Sequence, residues 1–556
     1  MPSELTFATE PARYRHWRLD VDGAVATLTL RVDPDGGIGP GYELKKNSYD
    51  LGVYIELNDA VQRLRFTHPG VRAVIMTSGL ERMFSAGANI GMLAASEHSF
   101  KVNFCKFCNE TLAAVEDASG YSGQAWIAAL NGTAAGGGYE LALACDTILL
   151  TDDGSSVVAL PEVPLLGVLP GTGGLTRLTD KRGVRRDLAD VFATTAEGIR
   201  GQRAVEWRLV DQVARPTEFG AATRRIAEEA IRRAGSSGAG NPDGIELTPL
   251  DDFRAEDGLG YEHVRVDFDR TLGVATITVS GPGRAPADVA DLHAAGASAW
   301  PLAAARELDH AISELRFREP GLGTWLIKTA GDPASVIATD DVLARGAAAG
   351  DWLAREITLL WKRTLWRLDG TSRSLLALIE PGSCFAGTLL ELALAADRQY
   401  MLDGVFEESN APAAALVVGA MNAGPLAASN GSTRLSLRFG QAGGDQVAAV
   451  LAACGKEVLA AQAVSLGLVT AAPDDLDWDD EIRLVVSERA GFSPDALSGL
   501  EASLRFGGAE SLSTKIFGRL SAWQNWIFLR PNASGPQGAL RRYGTGQRAE
   551  FDRKRV

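Results

Sequence analysis

The sequence predicts an α/β fold in which one domain occurs twice. Short runs rich in β-branched residues alternate with longer amphipathic runs, a pattern that indicates strands interleaved with helices. Similar segments recur at a nearly constant distance along the chain, and a glycine-rich stretch separates the two halves. The 556 residues are also more than one hydrophobic core usually holds. We therefore expect two domains, residues 1–245 and residues 246–556, and a helical tail at the end of the second.

Each half begins with a predicted hairpin. Residues 18–30 and residues 265–279 both alternate apolar and polar side chains on either side of a short turn. A run typical of a buried strand follows in each half, at residues 73–79 and residues 325–331. Matching segments lie between 247 and 252 residues apart, so we interpret the chain as a duplicated domain of about 250 residues.

Amphipathic helices are predicted in the later part of each half, and residues 221–231 are one example. The stretch at residues 233–244 contains so much glycine, serine and proline that it cannot form a packed element, and we expect a flexible linker there. The basic ending at residues 551–556 is expected to be a solvated tail.

A triple glycine, Gly136 to Gly138, is the most informative local feature. It follows a strand-like run and precedes a helix that we expect to begin with Glu140. Helix starts leave backbone N–H groups unpaired and partly positive, and glycine lets the carbonyl oxygen of another molecule approach them. A second segment of small residues, at 83–90, also lies between a strand and a helix. Two backbone donors from these segments could form an oxyanion hole, with the carboxylates of Glu140 and Glu162 nearby.

The second copy lacks most of these features. It has Thr388 within the triple-glycine position, and Ala413 takes the place of Glu162. The glycine-rich turn at residues 170–174, which we interpret as structural, has no counterpart either. Only Glu391 remains, and we expect it to interact with its helix dipole rather than to catalyse. The first copy is therefore predicted to be the active one.

Four runs taken together resemble the crotonase (enoyl-CoA hydratase/isomerase) superfamily. They are Phe84-Ser-Ala-Gly-Ala-Asn-Ile90, Asn131-Gly-Thr-Ala-Ala-Gly-Gly-Gly-Tyr-Glu140, Pro161-Glu162 and Pro170-Gly-Thr-Gly-Gly-Leu-Thr-Arg-Leu178. The resemblance implies tandem crotonase-like ββα spiral domains with helical C-terminal extensions, the second copy being degenerate. It implies that the N–H groups of Ala88 and Gly137 form an oxyanion hole for a CoA thioester. It also implies that Glu140 and Glu162 are catalytic, because they match the glutamates that hold and activate water.

The tandem arrangement and the aromatic tail at residues 523–547 resemble ring-cleaving members of this superfamily. This implies a carbon–carbon lyase of benzoyl-CoA degradation. Its reaction would convert 2,3-epoxy-2,3-dihydrobenzoyl-CoA and two waters to 3,4-dehydroadipyl-CoA semialdehyde and formate. Two neighbouring carboxylates do not ionise equally, so we expect one glutamate to activate water and the other to carry protons. The sequence leaves open which glutamate does which.

Two other functions remain open at this point. One is an ordinary enoyl-CoA hydratase or isomerase acting on linear acyl chains, since the oxyanion hole and both glutamates would be shared. The other is a non-catalytic scaffold or an RNA-binding relative, which the intact first copy and the acidic charge disfavour.

Further residues are candidates for substrate binding. The early loop of this superfamily contacts CoA, which implies a role for Lys45 and Lys46, a solvated charge pair being the alternative. The helix after residue 90 commonly lines the acyl pocket, which places Cys105 and Asn109 near the substrate. The spacing of Cys105 and Cys108 also fits ordinary core packing. Three residues that adjoin the oxyanion-hole segments complete the candidates: Ala86, Ile90 and Gly136.

Composition limits the partners. The 70 acidic and 55 basic residues give a net charge of −15, which argues against nucleic-acid binding. The sequence shows neither a signal-peptide pattern nor an apolar run long enough to span a membrane. Five cysteines in so long a chain favour reduced thiols and a cytoplasmic location. We expect no metal, no cofactor apart from the CoA of the substrate, and a homo-oligomer.

Overall fold

The computed structural model describes residues 5–234, 243–406, 411–440 and 442–556. The chain divides into two units, Met1–Pro249 and Leu250–Val556. Most of the stretch for which a flexible linker was predicted lies outside the described residues. Strands and helices alternate through both units, which confirms the predicted α/β class.

The first unit contains eleven strands and nine α-helices among its described residues. The strands are β1 (Trp17–Asp22), β2 (Val25–Leu30), β3 (Ser48–Tyr49), β4 (Ala73–Ser78), β5 (Arg82–Ser85), β6 (Gly87–Ala88), β7 (Ala125–Leu130), β8 (Gly132–Ala135), β9 (Thr147–Thr151), β10 (Val158–Ala159) and β11 (Gln212–Ala214). The helices are α1 (Leu51–Phe66), α2 (Ile90–Ala95), α3 (His98–Tyr121), α4 (Gly137–Leu143), α5 (Glu162–Leu166), α6 (Gly174–Thr176), α7 (Arg186–Ala193), α8 (Gly201–Glu206) and α9 (Pro216–Ala234).

A six-stranded sheet forms the centre of the first unit, in the order β1-β2-β4-β7-β9-β11. The predicted hairpin β1–β2 is antiparallel, with Trp17 opposite Leu30, and the other neighbours pair in parallel. The predicted helix at residues 221–231 lies within α9. Its Ile226 and Ala227 pack against Ile127 and Leu149 of the sheet, as expected for an amphipathic helix covering a parallel sheet.

A second, smaller sheet has the order β10-β8-β5, and all three strands are parallel. Their carboxyl ends therefore lie at one edge. The chain continues from β5 into β6, from β8 into α4, and from β10 into α5. This sheet brings three segments that are far apart in sequence to one place, which is where ligands bind in many open α/β sheets.

The second unit repeats the main sheet of the first and adds a helical tail. Its strands are β12 (Phe253–Ala255), β13 (Gly258–Gly260), β14 (Val264–Asp269), β15 (Val274–Ser280), β16 (Thr324–Ala330), β17 (Ser374–Ile379), β18 (Arg398–Met401), β19 (Leu416–Val417) and β20 (Glu457–Val458). Its helices are α10 (Val289–Ala295), α11 (Trp300–Arg318), α12 (Pro333–Ala348), α13 (Trp352–Gly370), α14 (Gly387–Ala395), α15 (Arg434–Phe439), α16 (Gly444–Leu451), α17 (Ala460–Ser465), α18 (Trp478–Ala490), α19 (Pro494–Arg505), α20 (Leu512–Thr514), α21 (Ser521–Leu529), α22 (Pro531–Ser534) and α23 (Ala539–Arg542).

The repeat is visible in the strand order β14-β15-β16-β17-β18, which follows the same antiparallel-then-parallel pattern as β1-β2-β4-β7-β9. The predicted duplication is therefore confirmed, including the hairpin β14–β15. Within its described residues the second unit has no three-stranded parallel sheet like β10-β8-β5. The sheet that gathers the candidate site segments is thus a feature of the first copy.

The prediction of a solvated basic tail is wrong for its last two residues. Arg555 is 3% exposed and Val556 is 6% exposed. Arg555 forms an ion pair with the buried carboxylate of Glu501, and the Arg373 guanidinium donates to the Val556 carbonyl oxygen at 3.2 Å. A buried carboxylate needs a cation beside it, which explains why this charged ending is not in solvent.

Candidate active site

The oxyanion-hole candidates lie on neighbouring segments. Ala88 is the last residue of β6, and Gly137 is the first residue of α4. A Cβ atom at Gly87 would lie 2.8 Å from the Gly137 nitrogen, so the two backbones touch. Gly136 has a φ of 56°, which favours glycine and turns the chain from β8 into the helix.

Helix α4 begins earlier than predicted. Its first residue is Gly137 rather than Glu140, and Glu140 lies in its first turn, with its N–H donating to the Gly136 carbonyl oxygen at 3.0 Å. The sharp turn at Gly136 completes the change of direction, so Gly137 and Gly138 are already helical. This places the Glu140 carboxylate on the first turn, beside the helix start.

Tyr49 packs against this helix start. A Cβ atom at Gly137 would overlap the Tyr49 hydroxyl oxygen, so the position requires glycine. Tyr49 lies on β3, which pairs in parallel with β6 and places Tyr49 beside Ala88. The side chain of Tyr49 therefore contacts one oxyanion-hole segment while its backbone pairs with the other.

Glu140 is held by three hydrogen bonds from one turn. Glu140 is 2% exposed, and its carboxylate accepts from the Thr172 N–H at 2.9 Å, from the Thr172 hydroxyl, and from the Gly174 N–H at 2.8 Å. Burial raises the pKa of Glu140, and these donors act in the opposite direction. The turn at residues 170–174 was interpreted as structural, and that interpretation is incomplete because the turn binds this carboxylate.

Glu162 has a different environment. It is 9% exposed, and its Oε2 atom is buried without a hydrogen-bond partner among the described residues. A Cβ atom at Gly136 would lie 2.8 Å from its Oε1 atom, so the carboxylate abuts the glycine turn. Burial, together with the nearby charge of Glu140, raises the pKa of Glu162 to about 7. The two glutamates thus form an interacting pair with unequal surroundings.

Cys105 and Asn109 of α3 lie beside the turn that holds Glu140. The Asn109 side-chain amide donates to the Gly171 carbonyl oxygen at 3.1 Å, and a Cβ atom at Gly171 would lie 3.3 Å from the Cys105 sulfur. Burial and the Glu140 charge raise the pKa of the Cys105 thiol to about 11. Cys108 is fully buried, which fits core packing.

The remaining candidates are Lys45 and Lys46 of the early loop and two residues that adjoin Ala88. Lys45 is exposed and forms an ion pair with Glu43 at 2.7 Å, which agrees with the solvated alternative. Lys46 is also exposed, but its carbonyl oxygen accepts from the Ala86 N–H at 3.1 Å, so its loop adjoins the oxyanion-hole segment. Ile90 opens α2 and is 56% exposed.

In the second unit, side chains fill the corresponding positions. The N–H and the hydroxyl of Thr388 donate to the buried carboxylate of Asp340, at 2.7 Å and 2.6 Å. Glu391 accepts from the Asn422 amide at 2.8 Å and pairs with Arg434 at 3.2 Å. The expected interaction of Glu391 with the start of its helix is wrong, because Glu391 lies beyond the first turn of α14, and the Asn422 and Arg434 side chains bind it. The Thr388 N–H, which corresponds to the Gly137 N–H, thus already donates to the carboxylate of Asp340.

One group of three potential metal ligands occurs among the described residues: Glu262, His263 and Glu307. Glu307 accepts a hydrogen bond from the His263 N–H at 2.7 Å. Glu56 of the first unit accepts in the same way from the backbone of His16, at 2.9 Å. This group thus repeats a contact that fixes the hairpin to a helix. None of the helices in the described ranges is long and apolar enough to cross a membrane.

Two residues of the site were missed in the sequence. A signal for Thr172 existed, since the turn at residues 170–174 occurs in the first copy alone. Tyr49 gave no signal, because its contact with Gly137 joins positions that are distant along the chain.

Comparison with known proteins supports the resemblance. Residues 43–237 match the enoyl-CoA hydratase/isomerase family. The chain is 55% identical over 557 residues to the benzoyl-CoA-dihydrodiol lyase of Aromatoleum evansii, covering 99% of this chain and 98% of that protein. It is 31% identical over 198 residues to the carnitinyl-CoA dehydratase of Proteus mirabilis, covering 34% of this chain and 69% of that protein. A solved enoyl-CoA hydratase from Bacillus anthracis is 29% identical, with a TM-score of 0.34, over 39% of this chain and 76% of that one. The chain belongs to the enoyl-CoA hydratase/isomerase family.

Proposed function

We propose that this chain is a ring-cleaving lyase that acts on the 2,3-epoxide of benzoyl-CoA. The observation that carries the proposal is the 55% identity over 98% of a benzoyl-CoA-dihydrodiol lyase. The reaction consumes 2,3-epoxy-2,3-dihydrobenzoyl-CoA and two waters and gives 3,4-dehydroadipyl-CoA semialdehyde and formate. Its atoms and electrons balance without an oxidant, so the proposal includes no redox cofactor.

The N–H groups of Ala88 and Gly137 bind the thioester carbonyl oxygen. Support comes from the direct packing of β6 against the start of α4, which brings the two segments together. These donors polarise the carbonyl and make ring carbons conjugated with it electrophilic toward water, and as water adds, the displaced π electrons move onto this oxygen to form an enolate. Donors of this kind are worth about 2.7–4 kcal/mol each in transition-state stabilisation.

Glu162 is the base that accepts the proton of the attacking water. A base works best when its pKa is close to the working pH, and Glu162 has a pKa of about 7 and an unpartnered Oε2 atom. After accepting the proton, the same carboxyl group can return it as the ring opens and the carbon–carbon bond breaks.

Glu140 serves as the fixed carboxylate. Its hydrogen bonds from Thr172 and Gly174 favour the charged form and leave it less free to exchange protons. Its charge also contributes to the raised pKa of Glu162. Glu140 therefore positions water and keeps Glu162 basic enough to act.

The other candidate residues form the surroundings of the substrate in this proposal. Cys105 and Asn109 lie beside the turn that holds Glu140, where they can face the ring of the acyl group. The acyl end also passes Gly136. The CoA end leaves past four residues from two neighbouring stretches of chain: Lys45, Lys46, Ala86 and Ile90.

We also propose a cytoplasmic homo-oligomer that binds CoA thioesters and neither nucleic acid nor a metal. All five cysteines are free thiols, which suits a reducing compartment. Large apolar side chains such as Leu512, Phe517 and Leu529 are at least 76% exposed in the tail, which favours self-association. Sedimentation equilibrium tests this point, and a monomer mass of 58.8 kDa at micromolar concentration would contradict it.

Product analysis tests the proposed reaction. Purified protein is mixed with freshly prepared 2,3-epoxybenzoyl-CoA, and formate and CoA products are followed by mass. We expect formate and a ring-opened semialdehyde thioester in equal amounts. Rapid hydration of crotonyl-CoA without formate would instead identify a hydratase of linear acyl chains.

A further inference from the structure

A cavity of about 440 Å³ lies in the second unit, and all of its lining residues belong to that unit. It is bounded by α13, α14, β18, α15, α18 and α19. A cavity of this volume can hold a small molecule. Five arginines line it: Arg398, Arg434, Arg438, Arg489 and Arg505.

Three carboxylates also line the cavity, and each is already paired with one of these arginines. Together with Glu391, which also pairs with Arg434, and Arg555, which also pairs with Glu501, these groups carry no net charge. The pairs are Asp369 with Arg434 at 2.5 Å, Asp397 with Arg505 at 2.6 Å, and Glu501 with Arg489 at 3.4 Å.

Arg398 and Arg438 have no carboxylate partner within the described part of the chain. Arg398 donates to the Tyr400 hydroxyl at 3.5 Å. Arg438 donates to the Gly467 carbonyl oxygen at 2.5 Å and to the Gln399 side-chain oxygen at 2.7 Å. Both are half-buried, and burial lowers the pKa of Arg438 because no opposite charge compensates it. The cavity wall therefore has an excess of two positive charges.

One further donor is unsatisfied. Arg434 is only 4% exposed, and its Nε atom is buried without a hydrogen-bond partner among the described residues. A buried donor of this kind costs free energy unless a ligand or water meets it. Arginine is also the side chain that matches phosphate oxygens with paired N–H groups.

The rest of the wall is apolar, which suits a ligand with an organic part. Leu394, Leu437, Leu500 and Leu504 all line the cavity. We propose that this cavity binds the phosphate dianion of a small organic phosphate, with Arg398 and Arg438 supplying the two uncompensated charges. The site is independent of the ring-cleaving function proposed for the first unit.

The experiment is calorimetric titration of the full chain with inorganic phosphate at constant ionic strength. We expect saturable binding of one phosphate per chain. Arg398→Gln and Arg438→Gln should each weaken phosphate binding about tenfold or more, whereas Arg438→Lys should retain most of it because the charge remains. Arg483→Gln is the matched control, since Arg483 is an exposed arginine paired with Asp480 outside the cavity.

The source of the phosphate is identified by competition. If saturating CoA displaces phosphate and 3′-dephospho-CoA does not, the site binds the 3′-phosphate of CoA. If neither displaces it, the occupant is free phosphate or another organic phosphate. Absence of binding at millimolar phosphate overturns the proposal, as does equal affinity in the Gln variants, provided that their melting temperatures without phosphate match the wild type.

Discussion

At the scale of single residues, the site depends on two glutamates of the same chemistry in different surroundings. Glu140 accepts three hydrogen bonds from the turn at Thr172 and Gly174, whereas Glu162 has a buried oxygen without a partner. Environment rather than residue type therefore separates the two roles that we propose for them, as in other enzymes that use paired carboxylates.

Thr172→Val tests whether the turn positions Glu140. The substitution keeps the shape of the side chain and removes one hydrogen bond to a charged group, a contact worth about 1.5–3 kcal/mol. We expect kcat for formate release to fall between about tenfold and about a hundredfold, with little change in KM. Thr179→Val is the control, because Thr179 is exposed and its hydroxyl donates to backbone oxygens and to Asp180. An unchanged kcat in Thr172→Val would remove the positioning role.

Glu162→Gln tests the raised pKa through stability. A carboxyl group with a pKa of about 7 when folded and about 4.5 when unfolded binds its proton more tightly in the folded state. Ionisation of Glu162 therefore lowers the free energy of unfolding. This loss is absent below pH 4.5, grows as the pH rises to 7, and is complete above pH 7, at up to about 3 kcal/mol. We expect Glu162→Gln to melt at a higher temperature than wild type at pH 8 and at the same temperature near pH 4.5. If Glu162→Gln instead melted at a lower temperature than wild type at pH 8, the ionised carboxylate of Glu162 would stabilise the folded state, which would contradict the raised pKa.

At the scale of elements, the three-stranded sheet β10-β8-β5 assembles the site. Each of its parallel strands ends where a candidate segment begins, so Ala88, Gly137 and Glu162 meet at one edge. The close approach of these segments depends on glycine, because side chains would not fit between them.

Gly137→Ala tests this packing. The new Cβ atom would overlap the Tyr49 hydroxyl, so we expect a lower melting temperature and a loss of formate release of at least about a hundredfold. Adding Tyr49→Leu should restore part of both, because it removes the clashing ring. Gly120→Ala in α3 is the control, since a Cβ atom there meets nothing within 4 Å and the exchange should stabilise by about 0.5–1 kcal/mol. Full activity of Gly137→Ala alone would contradict the contact.

Much of the framework could be predicted from local patterns. The hairpins β1–β2 and β14–β15 follow from alternation of apolar and polar residues, and helix α9 follows from its amphipathic period. The glycines at 136–138 indicated a strand-to-helix turn, although the helix start was placed three residues late, because Gly137 and Gly138 have low helix propensity but are helical here.

Contacts between distant segments could not be predicted. Nothing in the local sequence of the turn at 170–174 shows that Thr172 binds Glu140, 32 residues away. The burial of Arg555 depends on its ion pair with Glu501, which lies 54 residues earlier. Because the sequence near residue 555 does not show this partner, the charged ending was predicted to be solvated. Local patterns predict elements, whereas the partners of buried polar groups depend on how those elements pack.

At the scale of the whole molecule, both units contain the same main sheet, whereas the candidate site occurs in the first unit. The second unit retains the sheet order and Glu391, but Asp340 occupies the Thr388 donors, and Glu391 shares Arg434 with Asp369. In the second unit, buried polar partners thus occupy the positions that correspond to the candidate site of the first.

Glu391→Gln tests this division between the units. Because Glu391 belongs to the second unit, we expect formate release within about twofold of wild type, whereas Glu140→Gln should lose most of it. The melting temperature of Glu391→Gln should fall, since Arg434 keeps only part of its buried charge compensation. Equal losses of activity in the two variants would show that the second unit takes part in catalysis.

The most direct measurement is formate release from 2,3-epoxybenzoyl-CoA by wild type and by Glu162→Gln, with binding of the thioester measured in parallel. We expect wild type to release one formate per substrate. Glu162→Gln should lose at least about a thousandfold in kcat while its affinity for the thioester stays within a few fold. Full formate release by Glu162→Gln would contradict the assignment of Glu162 as the base and with it the central claim.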